Sequence, residues 1–150
     1  MVERVGIDCS FGVKALTEHD IEARTRELYR LLTEDFVAVI NHWLAEDFVW
    51  INHLPDHIPF GGVYNGAAGL GEYGQQLLAA IELKPLHISE IVVHGNTAVV
   101  IGVEQGTRVL STGKHYDMDW VHVVKYADNG LLSYLREYNQ YEAMAAAFRA

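Results

Sequence analysis

KHYDMDWVHVVKYADNGLLSYLREYNQYEAMAAAF, the segment from Lys114 to Phe148, contains two long β-type runs around one tight turn. The turn lies at Asp128-Asn129-Gly130, where Asn and Gly tolerate the positive φ angles of a two-residue type I′ hairpin loop. With Asn129 and Gly130 as the loop residues, the predicted pairs are Asp128 with Leu131, Tyr126 with Ser133, Val124 with Leu135, and His122 with Glu137. The segment therefore predicts an antiparallel hairpin, and the hairpin fixes which side chains share a face of the sheet.

This register places an ionisable pair on one face of the hairpin. His122 and Glu137 oppose each other at positions where Cβ atoms lie about 4.5–5.5 Å apart, and we predict them as the catalytic pair of an acid–base site. Side chains of the same parity are predicted to line a pocket: Tyr116, Met118, Trp120 and Asn139. A second interpretation is a buried, mutually satisfied pair that only fixes strand register. A slip of one residue would turn the whole set to the opposite face.

Two helices are predicted before the first strand. Residues 1–16 show no clear periodicity and are predicted as an N-terminal arm, so the folded domain is residues 17–150. Thr17, followed by Asp20, predicts the N-terminus of the first helix. Thr33 is predicted to cap a second helix, which ends near Ala45 to Asp47.

The rest of the chain predicts two short strands separated by a loop, then a helix and a long run of β-structure. Phe48–Asn52 reads as a short strand, and the Pro- and Gly-containing segment Leu54–Gly62 as a loop beside a cavity mouth. Asn65 is predicted to cap a third helix, which Pro85 ends. The order α-α-β-β-α-β-β-β-β is an α+β layout, in which three helices pack on a strongly curved antiparallel sheet.

Further candidate site residues lie outside the hairpin. Trp50 and Tyr64 are predicted to line the cavity, and His53 to act as a hydrogen-bond donor at its mouth. His53 and His57 are four residues apart, but Leu54-Pro55 argues against the helix that would align them as metal ligands. We therefore predict no metal site.

Polar residues on the two central strands complete the set of candidates. Gln105 is predicted to share the face of Trp120 and to hydrogen-bond a ligand. Strand parity sends Asp117 and Asp119 to the opposite, solvated face. The orientation of Glu104 is left open, because glycines on both sides of it are candidate bulge positions.

Charge and composition narrow the class of protein. A chain of 150 residues suits one domain with a continuous core. Its net charge of −9, from 20 acidic and 11 basic residues, would repel phosphate backbones and anionic lipid surfaces, so we predict neither a nucleic-acid nor a membrane partner. The single cysteine, Cys9, cannot form an internal disulfide, which fits a reducing cytoplasm. An N-terminus without a long apolar run predicts an unprocessed, cytoplasmic protein.

Four segments resemble the NTF2-like superfamily, and within it the SnoaL-like, ketosteroid-isomerase-related proteins. They are AEDFVW (45–50), GVYNG (62–66), TGKHYDMDW (112–120) and DNGLLSYLREY (128–138), followed by an Ala-rich tail. The resemblance implies a conical fold, an apolar small-molecule cavity with acid–base groups at its bottom, and a homodimer formed through the sheet. Relatives often carry an aspartate where this chain has Gln140 and an asparagine where it has Met118. A mechanism that needs that aspartate is not expected here.

These observations lead to one preferred function and two alternatives. The preferred function is cofactor-free acid–base catalysis of the isomerase, cyclase or dehydratase type, on a hydrophobic carbonyl compound that is polyketide-like or steroid-like. His122 oriented by Glu137, or Glu137 itself, would remove a proton alpha to the carbonyl. Neither a nucleophile triad nor a Gly-rich phosphate loop stands out, so no cofactor is predicted. The alternatives are a non-catalytic ligand-binding or dimerisation module, and an accessory dimer whose cavity Trp and Tyr side chains nearly fill.

Overall fold

The computed structural model describes residues 15–150, and its elements follow the predicted α+β order with one additional helix at the C-terminus. The predicted arm, residues 1–16, lies outside the described residues except for its last two. The elements are α1 (Glu18–Glu34), α2 (Phe36–His42), β1 (Leu44–Asn52), β2 (Gly62–Asn65), α3 (Gly66–Ala80), β3 (His87–His94), β4 (Thr97–Arg108), β5 (His115–Tyr126), β6 (Leu132–Asn139) and α4 (Glu142–Ala147).

The first helix begins where the sequence predicts it. The Thr17 hydroxyl accepts from the backbone N–H of Asp20 at 3.1 Å, and the Asp20 carboxylate accepts from the backbone N–H of Thr17 at 2.9 Å. This capping box satisfies two amide groups that a helix N-terminus otherwise leaves unpaired. Ile21 and Leu28 on the apolar side of α1 are fully buried, and they attach the helix to the sheet.

The second helix is shorter than predicted, and its predicted cap is wrong. Asp35, not Thr33, caps α2, because the Asp35 side chain accepts from the backbone N–H of Ala38. The Thr33 hydroxyl instead donates to the Arg30 carbonyl, within α1. The helix ends at His42, and β1 begins at Leu44 because this residue pairs with β6.

Six strands form one curved sheet in the order β2-β1-β6-β5-β4-β3. The predicted antiparallel sheet is present with one exception: β1 runs parallel to β6, with Trp50 opposite Leu135 and Asn52 opposite Glu137. No hairpin joins these two strands, so no turn dictates an antiparallel direction. The sheet is therefore an antiparallel meander, β3 to β6, extended by a parallel neighbour.

The β5–β6 hairpin has the predicted register except next to its turn. Val124 pairs with Leu135 and His122 with Glu137 as predicted, but Tyr126 pairs with Leu132 rather than Ser133. The turn is closed by a hydrogen bond from Gly130 N to Ala127 O, with Gly130 at a φ of 85°. This loop is longer than the predicted two-residue loop, and a bulge that leaves Ser133 unpaired restores the register beyond it.

The core lies between the sheet and the helices. Helix α1 packs on β3 and β4, α3 on β1 and β2, and α4 on β5. The inward side chains of the central strands are fully buried, among them Val100, Val124 and Leu135. No helix within residues 15–150 is long and apolar enough to cross a membrane.

Candidate functional site

His122 and Glu137 meet in the interior, between the sheet and the helices. They are direct cross-strand partners on β5 and β6, and His122 Nε2 lies 3.5 Å from Glu137 Oε1. The His122 side chain is 5% exposed and the Glu137 side chain 9% exposed. The predicted proximity of the pair is confirmed, because alternation along both strands sends these two side chains inward together.

Three further side chains donate hydrogen bonds to the Glu137 carboxylate. Oε2 accepts from the Tyr73 hydroxyl at 2.7 Å and from Trp50 Nε1 at 2.8 Å, while Oε1 accepts from Asn139 Nδ2 at 3.3 Å. The Trp50 contact depends on the parallel strand β1, which lies beside β6. The Tyr73 contact comes from α3, so the carboxylate links a helix to three strands.

These contacts set the charge of the carboxylate. Burial alone would raise the pKa of Glu137, because a low-dielectric interior disfavours the charged form. The interaction with His122, together with the hydrogen bonds from Tyr73 and Trp50, outweighs that effect and holds the pKa of Glu137 below its ordinary value. Glu137 is therefore a fixed negative charge at neutral pH.

The second imidazole nitrogen of His122 contacts a tyrosine from α1. The Tyr29 hydroxyl lies 2.6 Å from His122 Nδ1, and burial, together with the charge of Glu137, raises the pKa of Tyr29 well above its ordinary value. A neutral imidazole that donates from Nε2 to Glu137 must accept at Nδ1, so Tyr29 is the donor there. The result is a chain of polar contacts, with a hydrogen bond of 2.6 Å on the Tyr29 side and a contact of 3.5 Å on the Glu137 side, which we call the Tyr29–His122–Glu137 chain.

Aromatic rings hold this chain in place. The Trp120 ring stacks on His122 with centroids 4.2 Å apart, and on Tyr29 with centroids 5.9 Å apart. Space for the Trp120 ring depends on Gly102, its cross-strand partner on β4. A Cβ atom at Gly102 would lie 2.3 Å from the Trp120 ring and 2.4 Å from the carbonyl oxygen of His87. The glycine is therefore part of the site's construction.

A second carboxyl group, Glu104, also faces the interior. It pairs with Met118 across β4 and β5, on the inward side, and accepts a hydrogen bond from the Thr107 hydroxyl at 2.6 Å. Burial raises the pKa of Glu104, the nearby hydroxyls of Thr107 and Tyr116 oppose that rise, and Glu137 adds to it. The two interior carboxyls thus have pKa values shifted in opposite directions.

Several buried polar atoms in the interior have no hydrogen-bond partner among the described residues. They are Asn52 Nδ2, Asn139 Oδ1, Trp120 Nε1 and Tyr116 Oη. Such groups are rare in folded proteins, because each one costs about 1–3 kcal/mol when it is left unpaired. The site therefore retains polar groups that the described residues do not satisfy.

The other predicted site residues divide between the interior and the surface. Met118 is buried, and Tyr64 is buried with its hydroxyl oxygen 3.0 Å from the Phe60 carbonyl oxygen. His53 is exposed, and its role as a donor at a cavity mouth stays a prediction, whereas Gln105 is exposed and does not share the inward face of Trp120 as predicted. A bulge between Glu104 and Thr107 in the β4–β5 pairing breaks the parity on which the Gln105 prediction depended.

The predicted outward orientation of two aspartates is confirmed, since Asp117 and Asp119 are exposed. Asp117 accepts a hydrogen bond from the backbone N–H of Gly106, inside the same bulge. Within residues 15–150, no group of three His, Cys, Asp or Glu side chains is arranged to hold a metal ion.

Sequence reasoning missed three residues of the site: Tyr29, Asn52 and Tyr73. The helical spacing of Tyr73 indicates burial alone, although its hydroxyl donates to Glu137. The sequence does contain an indication for Tyr29. It lies four residues after Thr25, so both residues place a hydroxyl on the buried, apolar side of α1. Asn52 carries a weaker signal, as an amide at the end of an apolar strand.

A groove lies on the surface beside α3 and the C-terminus. It has a volume of about 430 Å³ and is lined by the predicted loop, α3 and the C-terminus, including His57, Gln76 and Phe148. Gln76 accepts a hydrogen bond from the Tyr64 hydroxyl at 2.7 Å, and the Tyr64 ring packs on Tyr73 with centroids 5.1 Å apart. The groove is thus two side chains away from the Glu137 carboxylate.

Comparisons with known proteins agree with this architecture. A family model described as a SnoaL-like domain matches residues 25–134. An NTF2-like protein from Burkholderia xenovorans has 25% identity and a TM-score of 0.74, over 89% of this chain and 98% of that chain. An NTF2-like protein of unknown function from Burkholderia pseudomallei has 20% identity and a TM-score of 0.76, over 90% and 100%. TerC, co-crystallised with polyporic acid, has 19% identity and a TM-score of 0.71, over 87% and 98%. No curated protein matches the sequence.

Proposed function

This chain belongs to the SnoaL-like domain family, and we propose that it is a cofactor-free acid–base enzyme acting on a hydrophobic carbonyl compound. The reaction begins with removal of a proton alpha to the carbonyl. The observation that carries the proposal is the Tyr29–His122–Glu137 chain, in which a buried carboxylate orients a buried imidazole against a hydroxyl. Such arrangements are typical of general acid–base sites.

Each member of the chain has one role. Glu137 has a lowered pKa and several hydrogen-bond donors, so it is a weak base but a strong electrostatic partner for an imidazolium ion. His122 is the base, because its Nδ1 lone pair points away from the carboxylate. Tyr29 connects that lone pair to the substrate, and its raised pKa means that a phenolate does not accumulate.

Proton transfer is therefore coupled along the chain. The α C–H bond of the substrate breaks, its proton moves to the Tyr29 oxygen, and the Tyr29 hydroxyl proton moves to His122 Nδ1. The electron pair of the broken bond enters the enolate, and Glu137 stabilises the new imidazolium. The enolate can then react in three ways. Return of the proton to another carbon is an isomerase reaction, and loss of a β-substituent is a lyase reaction. Attack of the enolate carbon on a second carbonyl is a cyclase reaction. Positioned acid–base groups contribute about 10²–10⁴-fold to such rates.

The aromatic side chains around the Tyr29–His122–Glu137 chain favour an aromatic or polycyclic substrate. Trp50, Tyr73 and Trp120 present ring faces and edges around the chain, and aromatic rings contact one another favourably in offset or edge-to-face geometry. TerC, which shares the fold, was co-crystallised with polyporic acid, and this supports a small organic ligand. The groove beside Gln76 is the proposed route by which the ligand approaches.

Hydrogen exchange at an α-carbon tests the proposal without knowledge of the natural substrate. Exchange at C2 of 1-indanone in deuterium oxide, followed by proton NMR, is expected to be faster with the protein than in buffer alone. His122→Ala and Glu137→Gln are expected to remove the acceleration. Asp119→Asn is the matched control, because Asp119 is an exposed carboxylate on the same strand as His122. Wild-type exchange rates in both site variants would refute the assigned roles.

A second candidate function is a ligand-binding module without chemistry. It is favoured by one observation, namely that Glu137 and both nitrogens of His122 already have partners within the protein. Under this function the Tyr29–His122–Glu137 chain only stabilises the fold. 1-Indanone would then bind to the protein, and its C2 hydrogens would exchange at the rate seen in buffer.

We also propose that the protein is a homodimer formed through the outer face of the sheet. This face carries half-buried, β-branched side chains on β4 and β5, where Ile101 pairs with Val121 and Val99 with Val123. Light scattering is expected to show a dimer that Val121→Glu dissociates. Val37→Glu is the control, because Val37 is 62% exposed on α2. A monomeric wild type would refute the proposal.

A further inference from the structure

Asn52 and Asn139 form an amide pair beside the Glu137 carboxylate. Asn139 Nδ2 donates to Asn52 Oδ1 at 3.1 Å and to Glu137 Oε1 at 3.3 Å. The pair lies at the ends of the neighbouring strands β1 and β6, and Asn52 is 1% exposed. Neither residue is needed for the proton transfer proposed above.

The carboxylate fixes the orientation of both amides. An ionised carboxylate only accepts hydrogen bonds, so the Asn139 nitrogen must face Glu137 and the Asn139 oxygen must point away. The Asn52 oxygen must in turn face that nitrogen, which directs the Asn52 nitrogen away. The orientation leaves one donor, Asn52 Nδ2, and one acceptor, Asn139 Oδ1, both buried and without a partner among the described side chains and backbone.

Nearby groups do not satisfy this donor and acceptor. The Tyr73 hydroxyl donates to Glu137, and Asn52 lies close enough to oppose the rise that burial causes in the pKa of Tyr73, but Asn52 Nδ2 does not reach hydrogen-bond geometry with it. Trp120, which pairs with Asn139 across β5 and β6, adds a second buried donor without a partner within residues 15–150, its Nε1.

We infer that the amide pair binds a hydroxyl group that stands next to the carbonyl of the ligand. A hydroxyl donates once and accepts twice, so it can donate to Asn139 Oδ1 and accept from Asn52 Nδ2. A carbonyl alone would leave the acceptor unpaired, and an ammonium would leave the donor unpaired. The adjacent carbonyl oxygen takes the remaining donor, Trp120 Nε1. The ligand class is a hydrophobic α-hydroxy ketone or an enolised dicarbonyl, and the inference refines the substrate class of the proposed function, on which it rests.

Three related ketones test this inference by calorimetric titration of the wild-type protein. They are 2-hydroxy-1-indanone, its methyl ether 2-methoxy-1-indanone, and 1-indanone, which share a ring and carbonyl but differ in the hydroxyl. The hydroxy ketone is expected to bind about tenfold more tightly than the other two, because they leave buried polar groups unpaired. Equal affinities, or no binding of any of the three, would overturn the inference. Equal affinities would mean that water satisfies the amides.

Variants locate the selectivity. Asn52→Leu and Asn139→Leu are expected to reduce the hydroxyl preference to about onefold, whereas Asn41→Leu, at an exposed position on α2, keeps it. The wild-type comparison stands even if a variant does not fold. The outcome is independent of the proposed chemistry, because it measures affinity. Hydroxyl-selective binding without α-hydrogen exchange would refute the proposed catalysis and retain the hydroxyl site. Exchange without hydroxyl selectivity would retain the catalysis and refute the hydroxyl site.

Discussion

Replacement of Glu137 by glutamine is expected to reverse the tautomer of His122. Two donors, Trp50 Nε1 and the Tyr73 hydroxyl, meet at Oε2 of Glu137. The glutamine oxygen takes that position, because the opposite orientation would place an NH₂ group against both of these short hydrogen bonds. The chosen orientation gives up only the longer hydrogen bond, of 3.3 Å, from Asn139 Nδ2 to Oε1. The glutamine nitrogen then faces His122 Nε2 and donates to it. His122 must therefore carry its proton on Nδ1, where it donates to Tyr29, and the basic lone pair is lost.

The same substitution has a stability cost that follows from these contacts. The hydrogen bonds from Trp50 and Tyr73 lose their ionic acceptor, at about 1 kcal/mol each, so we expect a loss of about 2 kcal/mol in the free energy of unfolding. In a chain of this length, that loss corresponds to a fall of about 4–8 °C in Tm. Because the folded pKa of Glu137 is lowered, its stabilisation is present above the unfolded pKa and is lost as the pH falls through the folded value. The difference between variant and wild type should therefore shrink in acid.

Nitrogen-15 NMR of the imidazole ring measures the tautomer of His122 directly. Urea unfolding at neutral and acidic pH measures the loss in the free energy of unfolding. The wild type is expected to show a proton on Nε2 of His122, and Glu137→Gln a proton on Nδ1. Retention of the Nε2 proton in the folded variant would refute the reasoning. A variant as stable as the wild type at neutral pH would also refute it.

Three further substitutions have expected outcomes. Glu104→Gln should raise the free energy of unfolding at neutral pH by on the order of 1 kcal/mol and have little effect in acid. The reason is that the pKa of Glu104 is raised in the folded protein, so its ionised form becomes destabilising as the pH increases. Urea unfolding at several pH values measures this difference. Tyr73→Phe should cost about 1–2 kcal/mol and raise the pH at which stability is lost on acidification, since the carboxylate loses a donor. Gly102→Ala should cost about 1–3 kcal/mol and shift tryptophan fluorescence, because the added methyl displaces Trp120.

Matched controls keep these outcomes specific. Tyr138→Phe removes a hydroxyl from an exposed residue of β6 and should not change the pH at which stability is lost on acidification. Gly71→Ala places a Cβ atom 4.0 Å from its nearest neighbour, on Ile40, and should be neutral or stabilising within α3. Equal losses in each substitution and its control would show that the contacts described here do not determine stability.

The sequence was sufficient to predict the central pair of the site. Period-two alternation along two strands, and an Asn-Gly turn between them, placed His122 opposite Glu137. The predicted pairing of His122 with Glu137 is correct although the predicted turn is too short, because the bulge at Ser133 restores the register. A strong local pattern thus predicted a contact between residues that adjoin across one hairpin.

The remainder of the site depends on contacts that no local pattern specifies. Tyr29 and Tyr73 come from two helices, and their periodicity indicates burial but not the partner of each hydroxyl. Asn52 reaches the amide pair because β1 lies parallel to β6, and no turn joins those strands. Gln105 was misplaced because a bulge changes parity without a reliable signal in one sequence.

The most direct test of the proton relay is the rate of C2 hydrogen exchange of 1-indanone with the folded Tyr29→Phe variant. Tyr29 connects His122 Nδ1 to the substrate in the proposed mechanism, and phenylalanine keeps the ring while it removes the hydroxyl. The account predicts exchange at the rate of buffer alone, with wild-type protein faster than buffer. Exchange by Tyr29→Phe at or above the wild-type rate would contradict the relay.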